Sequence, residues 1–98
     1  MLRRRLNDVM VRQVGQELLL LDTASNQIHQ LNQTASFIWN KCDDARSSDD
    51  IARLLATEYE ISYRLAIRDV VQTLEKLREV NLIVEAVEAD VDEERTDR

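Results

Sequence analysis

The chain contains a single glycine, Gly15, and no proline among its 98 residues. Glycine supplies the positive φ angles of many tight turns and proline pre-sets the φ of others, so folds made of many short, tightly connected strands depend on both. Their scarcity argues against a β-sandwich or a β-barrel. It favours a fold in which helices pack against a small sheet.

Length and composition are typical of one small globular domain with a modest core, since 44% of the residues are hydrophobic and 33% are charged. The single cysteine, Cys42, rules out an intrachain disulfide, which fits a reducing cytoplasm. The N-terminal residues do not continue into the apolar stretch of a signal peptide, and the longest apolar run, Leu18 to Leu21, is too short to span a membrane. We therefore expect a cytoplasmic protein without membrane association.

The negative charge is concentrated at the C-terminal end. The formal net charge is −6, and residues 85–98 carry seven acidic side chains against two arginines, which accounts for −5 of it. Such a segment buries too little apolar surface to offset its chain entropy, so we expect residues 88–98 to be a disordered acidic tail. It is interpreted as a solubilising tail, with contact to a basic partner as the alternative. Residues 1–8 are expected to form a flexible arm, so the folded domain is predicted to span residues 9–87.

Three strands are predicted in the first third of the chain, over Val9 to Val14, Glu17 to Leu21 and Gln27 to Leu31. Gly15-Gln16 supplies a two-residue hairpin turn, and residues 22–26 are rich in side chains that bond their own backbone. The strands therefore form an antiparallel meander with the third at an edge. The four consecutive leucines of the second strand predict burial on both faces.

Three helices are predicted to follow. Asn32 is a good N-cap for a helix over residues 33–42, Ser47 or Ser48 for one that ends near Tyr59, and Ser62 for one over residues 63–80. The third carries an apolar stripe whose core-facing members are predicted to be Ile67, Val71 and Leu74. Residues 82–84 are predicted to be a short extended segment. The fold class is α+β: an N-terminal three-stranded antiparallel sheet followed by three helices, in a winged helix-turn-helix-like arrangement.

Several short motifs occur in a characteristic order. They are Leu20-Leu-Asp22, His29-Gln-Leu-Asn32, Thr34-Ala35, Ile38-Trp39, Cys42-Asp43, Asp50-Ile51-Ala52, Leu55, Tyr59, Asp69-Val70, Leu74, Leu77 and Asn81-Leu82-Ile83. In this order and spacing the chain resembles the PqqD-like proteins, the recognition elements of ribosomally made, modified peptides. Two positions depart from the family pattern, since Asp44 and Asn81 stand where members often carry glycine.

The resemblance implies a non-catalytic peptide chaperone that acts in the biosynthesis of the quinone cofactor PQQ or of another peptide natural product. Such domains bind the leader segment of a precursor peptide and present it to a radical-SAM protein, a cyclase or a leader peptidase. The leader would add as a strand to the edge of the third predicted strand, which contains neither proline nor lysine to block pairing. The alternative reading of that edge is a short, polar, merely solvated strand. We expect a monomer or a weak homodimer.

The residues implied in peptide binding lie on the third strand and on one flank of the third helix. Asp69 is a candidate partner for a basic leader residue, with a solvated surface charge as the alternative. Which flank of the third helix faces the strand is left open. The full set is Asn26, Gln27, Ile28, His29, Gln30, Leu31, Ala66, Asp69, Val70, Thr73 and Leu77.

The sequence offers no set of residues typical of catalysis or cofactor binding. One histidine and one cysteine cannot build a Cys/His metal site, and no glycine-rich phosphate loop is present. We therefore expect no enzymatic activity, no metal and no cofactor. Cys42 and His29 are interpreted as a core residue and a strand residue.

Two other functions remain as alternatives. A winged-helix protein can bind DNA through its third helix, but the basic residues there alternate with acids and residues 1–84 have a net charge of −1, so no nucleic acid partner is expected. The other alternative is a subunit that holds a modifying enzyme without reading a leader.

Overall fold

The structure, a computed structural model, describes residues 2–85. Along the chain it contains β1 (Leu2–Arg4), β2 (Val9–Val14), β3 (Glu17–Asp22), β4 (Gln27–Leu31), α1 (Gln33–Asn40), α2 (Ser48–Tyr59), α3 (Tyr63–Glu79) and β5 (Ile83–Glu85). The predicted α+β class is confirmed, with an antiparallel sheet in the order β2-β3-β4 followed by three helices. The predicted tail over residues 88–98 lies outside the described residues.

Two hairpins connect the three strands. Gly15 has φ +64, and Val14 pairs with Glu17 across the two-residue turn, as expected of a type II′ hairpin. Asp22 pairs with Gln27 across a four-residue loop in which Asn26 takes the left-handed φ of 63°. Strand β3 is therefore central, and both β2 and β4 are edges of this sheet.

The core lies between one face of this sheet and the three helices. Leu18, Leu20 and Leu31 point into it from the sheet, and Trp39 is the largest fully buried side chain. The indole nitrogen of Trp39 donates a hydrogen bond of 3.1 Å to the carbonyl oxygen of Leu82, which satisfies its polar atom in the core. The other core side chains are Leu2, Ile38, Cys42, Ile51, Ala52, Leu55, Ala66, Val70, Leu74, Leu77, Leu82 and Ile83.

Each helix begins at a side chain that accepts a hydrogen bond from its first turn, as predicted. Asn32 accepts from the Ala35 amide, and Ser62 accepts from the Leu65 amide. Ser47, and not Ser48, caps α2 in a capping box that is closed by Asp50. Helix α1 ends at Asn40, two residues earlier than predicted.

Strand β3 is covered on one face only, so the prediction of burial on both faces is wrong. Leu18 and Leu20 are buried, whereas Leu19 and Leu21 are half-buried and border an open cavity of about 260 Å³ on the outer face of the sheet. All three helices lie on the inner side. A run of four apolar residues cannot tell a doubly covered strand from one whose second face is merely apolar.

The expectation of a flexible arm over residues 1–8 is corrected for residues 2–5. Strand β1 pairs with β5 in a separate two-stranded sheet, and Leu2 is only 4% exposed. The Arg5 amide donates to the Leu82 carbonyl at 3.0 Å, and its guanidinium forms an ion pair with Asp22 at 2.6 Å. The pairing partner of β1 lies about 80 residues away along the chain, so no local pattern announces it.

Asp44 and Asn81, the two positions where the resemblance leads us to expect glycine, both take left-handed backbone conformations. Asp44 has φ 71°, and Asn81 has φ 60°, as predicted for the residue that closes the third helix. Asn and Asp tolerate this region better than other non-glycine residues because their short polar side chains can bond locally. The substitutions therefore preserve the backbone path on which glycine would otherwise be used.

The buried contact of Leu2 generates a stability prediction. We expect Leu2→Ala to lower the free energy of unfolding by about 2–3 kcal/mol, because it removes a buried side chain and leaves a cavity. Leu6→Ala is the matched control, since Leu6 is 56% exposed, and its effect should stay below about 0.5 kcal/mol. Urea unfolding of both variants gives the comparison. Equal, small effects would restore the flexible-arm interpretation.

Candidate functional site

The hydrogen-bonding direction of β4 follows from the first hairpin. A two-residue turn is closed by hydrogen bonding between its flanking residues, here Val14 and Glu17. Hydrogen-bonded pairs alternate along an antiparallel ladder, so Leu19 and Leu21 bond towards β2, while Leu18 and Leu20 bond towards β4. Since Leu20 faces His29 in the register, the backbone groups of Gln27, His29 and Leu31 bond towards β3.

The amides and carbonyls of Ile28 and Gln30 therefore point away from β3, towards the open edge. Within the described residues no strand pairs with this edge. The Ile28 side chain is 68% exposed. Gln30 lies on the same outer face and donates a hydrogen bond of 2.8 Å to Glu17. The edge thus offers two donors and two acceptors in the pattern that another strand would use.

A groove of about 340 Å³ lies beside this edge, between the end of β4, the start of α1 and one flank of α3. Helix α3 runs antiparallel to β4: residues 30–35 share this groove with residues 69–77, whereas Gln27 shares a cavity of about 360 Å³ with residues 79–81. The flank of α3 that faces β4 is therefore the one that carries Asp69, Thr73 and Leu77. The groove residues are Gln30, Leu31, Asn32, Thr34, Ala35, Asp69, Gln72, Thr73, Lys76 and Leu77.

The strand-to-helix junction holds the floor of the groove. The Ser36 hydroxyl, buried in the core, donates to the Leu31 carbonyl at 3.0 Å. Asn32 caps α1. The side chains of Leu31 and Leu77 are 8% and 3% exposed, so they give the groove a firm apolar base.

The loop before β4 is held by a buried carboxylate. The Asp22 carboxylate accepts hydrogen bonds from Arg5 and from the amides of Ala24 and Ser25, at 2.6, 3.1 and 3.3 Å. Burial works to raise the pKa of Asp22, but the hydrogen bonds and the positive charge of Arg5 outweigh it and hold the pKa below its usual value. The first turn of the β3–β4 loop is therefore tied to the N-terminal segment.

The predicted site residues fall into four groups, the last of which is buried in the core. Asn26, Gln27, Ile28 and Gln30 are exposed along the edge strand. His29 is half-buried, and within the described residues its Nε2 atom has no hydrogen-bond partner. Leu31, Asp69, Thr73 and Leu77 line the groove.

Ala66 and Val70 do not line the groove, because both are fully buried in the core. Val71, predicted as core, is 44% exposed, and Ile67 is only partly buried. Ala66 and Val70 are thus buried in place of their neighbours Ile67 and Val71, whereas Leu74 is buried as predicted. Both faces of the helix carry apolar residues, and the sequence pattern could not decide between them.

Sequence reasoning missed the polar members of the groove wall, Gln72 and Lys76, and the junction residues Asn32, Thr34 and Ala35. A signal for the first two was present. They follow Asp69 by three and seven residues, the spacing that places side chains on one face of a helix. Both residues are polar and lie outside the apolar stripe, so the stripe alone does not predict them.

The described residues contain no group of acidic, histidine and cysteine side chains that could hold a metal ion. Cys42 is fully buried and its thiol donates to the Ile38 carbonyl at 3.3 Å. Burial raises the pKa of the Cys42 thiol to about 12, which makes it a poor nucleophile. No helix among residues 2–85 is long and apolar enough to cross a membrane.

Comparisons with known proteins give a family model and solved structures that are similar to this chain. The sequence model of coenzyme PQQ synthesis protein D (PqqD) matches residues 17–83. A solved structure of a lasso peptide synthetase B1 complexed with the leader peptide is 32% identical, with a TM-score of 0.73, over 86% of this chain and 98% of that chain. TbiB1 in complex with the TbiA(beta) leader peptide shares the fold, with a TM-score of 0.75 and 19% identity over 87% and 98% of the two chains. The comparison with curated proteins gives no match.

The alternation of backbone bonding generates a prediction for amide hydrogen exchange. The amides of Ile28 and Gln30 should exchange much faster than those of His29 and Leu31, because only the latter two are bonded within the sheet. The opposite edge gives an internal control, where the Val11 amide should exchange faster than those of Met10 and Arg12. NMR-detected exchange would resolve each amide. Fast exchange of His29 and Leu31 with protection of Ile28 and Gln30 would reverse the assignment of the open edge.

The ion pair that holds the β3–β4 loop generates a prediction for pH dependence. The pKa of Asp22 is lower in the folded state than in the unfolded chain, so the pair contributes stability above the unfolded pKa of about 3.9. This contribution is lost as the pH falls through the folded pKa. Asp22→Asn should therefore be clearly destabilising in urea unfolding at pH 6, and the difference from the wild type should shrink below pH 3.

Arg5→Gln tests the same pair from the other side. It should reduce stability at pH 6, and the double variant Arg5→Gln/Asp22→Asn should lose less than the sum of the two single effects. Additive effects, or an Asp22→Asn effect that is the same at pH 6 and below pH 3, would show that the pair does not contribute as described.

Proposed function

Because the chain belongs to the PqqD family, we propose that it binds the leader segment of a ribosomally made precursor peptide and presents it to a modifying enzyme. The leader adds as an extended strand to β4 and lies in the groove between β4 and α3. Main-chain hydrogen bonds to the strand edge supply affinity, and the groove supplies selectivity. The 32% identical relative was solved with a leader peptide bound, which supports this assignment.

The observation that carries the proposal is the unpaired edge of β4 beside a lined groove. Within residues 2–85 no strand pairs with the outward donors and acceptors of Ile28 and Gln30, and the groove wall lies next to them. An edge of this kind usually carries a defence against pairing, such as proline, lysine or a covering segment. Gln27–Leu31 contains neither residue, so the edge is suited to receive another strand.

The role is non-catalytic, and the chemistry on the peptide belongs to a partner such as a radical-SAM protein, a cyclase or a leader peptidase. Two features support this division of labour. The one thiol of the chain is buried with its pKa raised to about 12, and the described residues offer no metal-binding group. A reduced, buried cysteine also fits action in the cytoplasm. We propose that the protein acts as a monomer or a weak homodimer.

DNA binding through α3 is disfavoured by the charge of the domain. Phosphate contacts require a clustered basic face. Residues 1–84 have a net charge of −1, Lys76 lies in the groove beside β4, and Arg78 borders a cavity on the other flank of α3 together with the acidic Glu75. A titration with duplex DNA at low salt checks this, and salt-dependent micromolar binding would contradict the proposal.

A proline substitution tests strand addition to β4. Ile28→Pro removes an outward amide without removing a hydrogen bond to β3, so it should weaken leader binding about tenfold, roughly the worth of one hydrogen bond and the fit around it, while the domain stays folded. Val11→Pro is the matched control, since it removes an outward amide from the opposite edge, on β2. Candidate leaders come from short reading frames beside the gene, and affinity is measured by fluorescence anisotropy.

Equal loss of affinity in both proline variants, or no loss in a folded Ile28→Pro variant, would contradict strand addition at this edge. An NMR titration with the same leader provides the map. Amides of residues 26–31 should shift together with those of the groove-facing positions of α3 between residues 69 and 77. Shifts that cluster on α2 instead would place the binding site elsewhere.

A further inference from the structure

Two opposite charges stand on the groove wall formed by α3. Asp69 and Lys76 are the charged side chains among the residues that line the groove. Seven residues separate them, which is about two helical turns, so both lie on the same face roughly 10 Å apart along the helix axis. Within residues 2–85 neither side chain forms an ion pair or a hydrogen bond. The wall therefore carries two charges that no described residue neutralises.

The charges have a fixed order relative to β4. Helix α3 runs antiparallel to this strand, since residues 79–81 lie near Gln27 and residues 69–77 lie near residues 30–35. Asp69 therefore stands towards the end of the groove where β4 passes into α1. Lys76 stands towards the end where β4 begins.

A strand added to β4 would meet the two charges in sequence. The sheet β2-β3-β4 is antiparallel throughout, and an antiparallel addition continues its pattern with the more stable type of pairing. Such a strand runs parallel to α3, so its N-terminal part passes Asp69 before its C-terminal part passes Lys76. Side chains on the side that faces α3 recur at every second residue, about 6.6 Å apart.

We propose that the groove selects an extended peptide with a basic residue followed, two or four residues later, by an acidic residue. The basic side chain pairs with Asp69 and the acidic one with Lys76, whose flexible four-carbon stem accommodates either spacing. The inference rests on the proposed leader-binding function and deepens it. The apolar floor formed by Leu31 and Leu77 accepts peptides of many sequences. The order of the two charges discriminates among these peptides and fixes the direction of the added strand.

The test begins with a selection that assumes no precursor. Random twelve-residue peptides displayed on phage are selected against the full chain, and the enriched clones are counter-screened against Ile28→Pro. Enriched peptides that depend on Ile28 should carry the basic-then-acidic pattern. Failure to enrich any clone that depends on Ile28 would overturn the proposed function and, with it, the charge inference.

The second stage reverses the charges. One enriched peptide and its charge-swapped twin are measured by fluorescence anisotropy against the wild type and the double variant Asp69→Lys/Lys76→Glu, which keeps the net charge. The wild type should prefer the original peptide by roughly tenfold, and the double variant should prefer the twin. The single variants Lys76→Glu and Arg78→Glu are measured with the same peptides. Arg78→Glu is the control, because both residues lie in the last turn of α3 but Arg78 borders the other flank.

Each result distinguishes the proposed leader binding from the inference about charge order. Peptides that need Ile28 but bind equally in either charge order would overturn the charge inference and leave leader binding intact. A preference for the acidic residue first would overturn the proposed antiparallel direction. An effect of Arg78→Glu as large as that of Lys76→Glu would show that general charge, and not the groove, decides binding.

Discussion

The carbonyl oxygen of Leu82 joins parts of the chain that are far apart in sequence. It accepts hydrogen bonds from the indole nitrogen of Trp39 at 3.1 Å and from the backbone amide of Arg5 at 3.0 Å. A buried indole needs an acceptor, and the segment that supplies it continues directly into β5, the partner of β1. The N-terminal segment is thereby held against the core, which brings Arg5 to Asp22 and secures the loop that leads into β4. The position of the open edge of β4 thus depends on contacts made far from it.

The same arrangement explains how β4 is held in place although no strand among residues 2–85 pairs with its outer edge. Strand β4 is held by its ladder with β3 and by the Leu31 side chain, which is buried in the core. The Ser36 hydroxyl donates a hydrogen bond to the Leu31 carbonyl where the strand passes into α1. These contacts hold the edge in its extended conformation, and an edge that is already extended loses less conformational entropy when another strand is added. Exposed backbone of this kind is a liability in most proteins. Here it is the feature from which the proposed function follows.

The sequence predicted what local patterns determine. The three strands of the sheet, the three capping residues and the left-handed Asn81 were all confirmed, because periodicity, capping and turn chemistry act over a few residues. Three features could not be predicted. Strand β1 pairs with a segment about 80 residues away, the outer face of β3 is apolar but uncovered, and the buried stripe of α3 centres on Val70 and not on Val71. Each of these features depends on which surfaces meet in three dimensions. For α3, a stripe with apolar residues on both flanks does not indicate which flank is buried.

The candidate site combines backbone groups of β4 with side chains of α3. The edge residues of β4 could be proposed from a resemblance, but their role rests on the direction of main-chain groups, which a residue's identity does not encode. The spacing of Asp69, Gln72 and Lys76 indicates that they share one face of α3. That this face forms the wall of a groove beside β4 follows only from the antiparallel orientation of α3 and β4. Backbone pairing alone cannot distinguish one peptide from another, because every residue but proline offers the same donor and acceptor. Selectivity must therefore come from side chains that face the added strand. Asp69 and Lys76, which no residue within 2–85 neutralises, would distinguish both the composition and the direction of that strand.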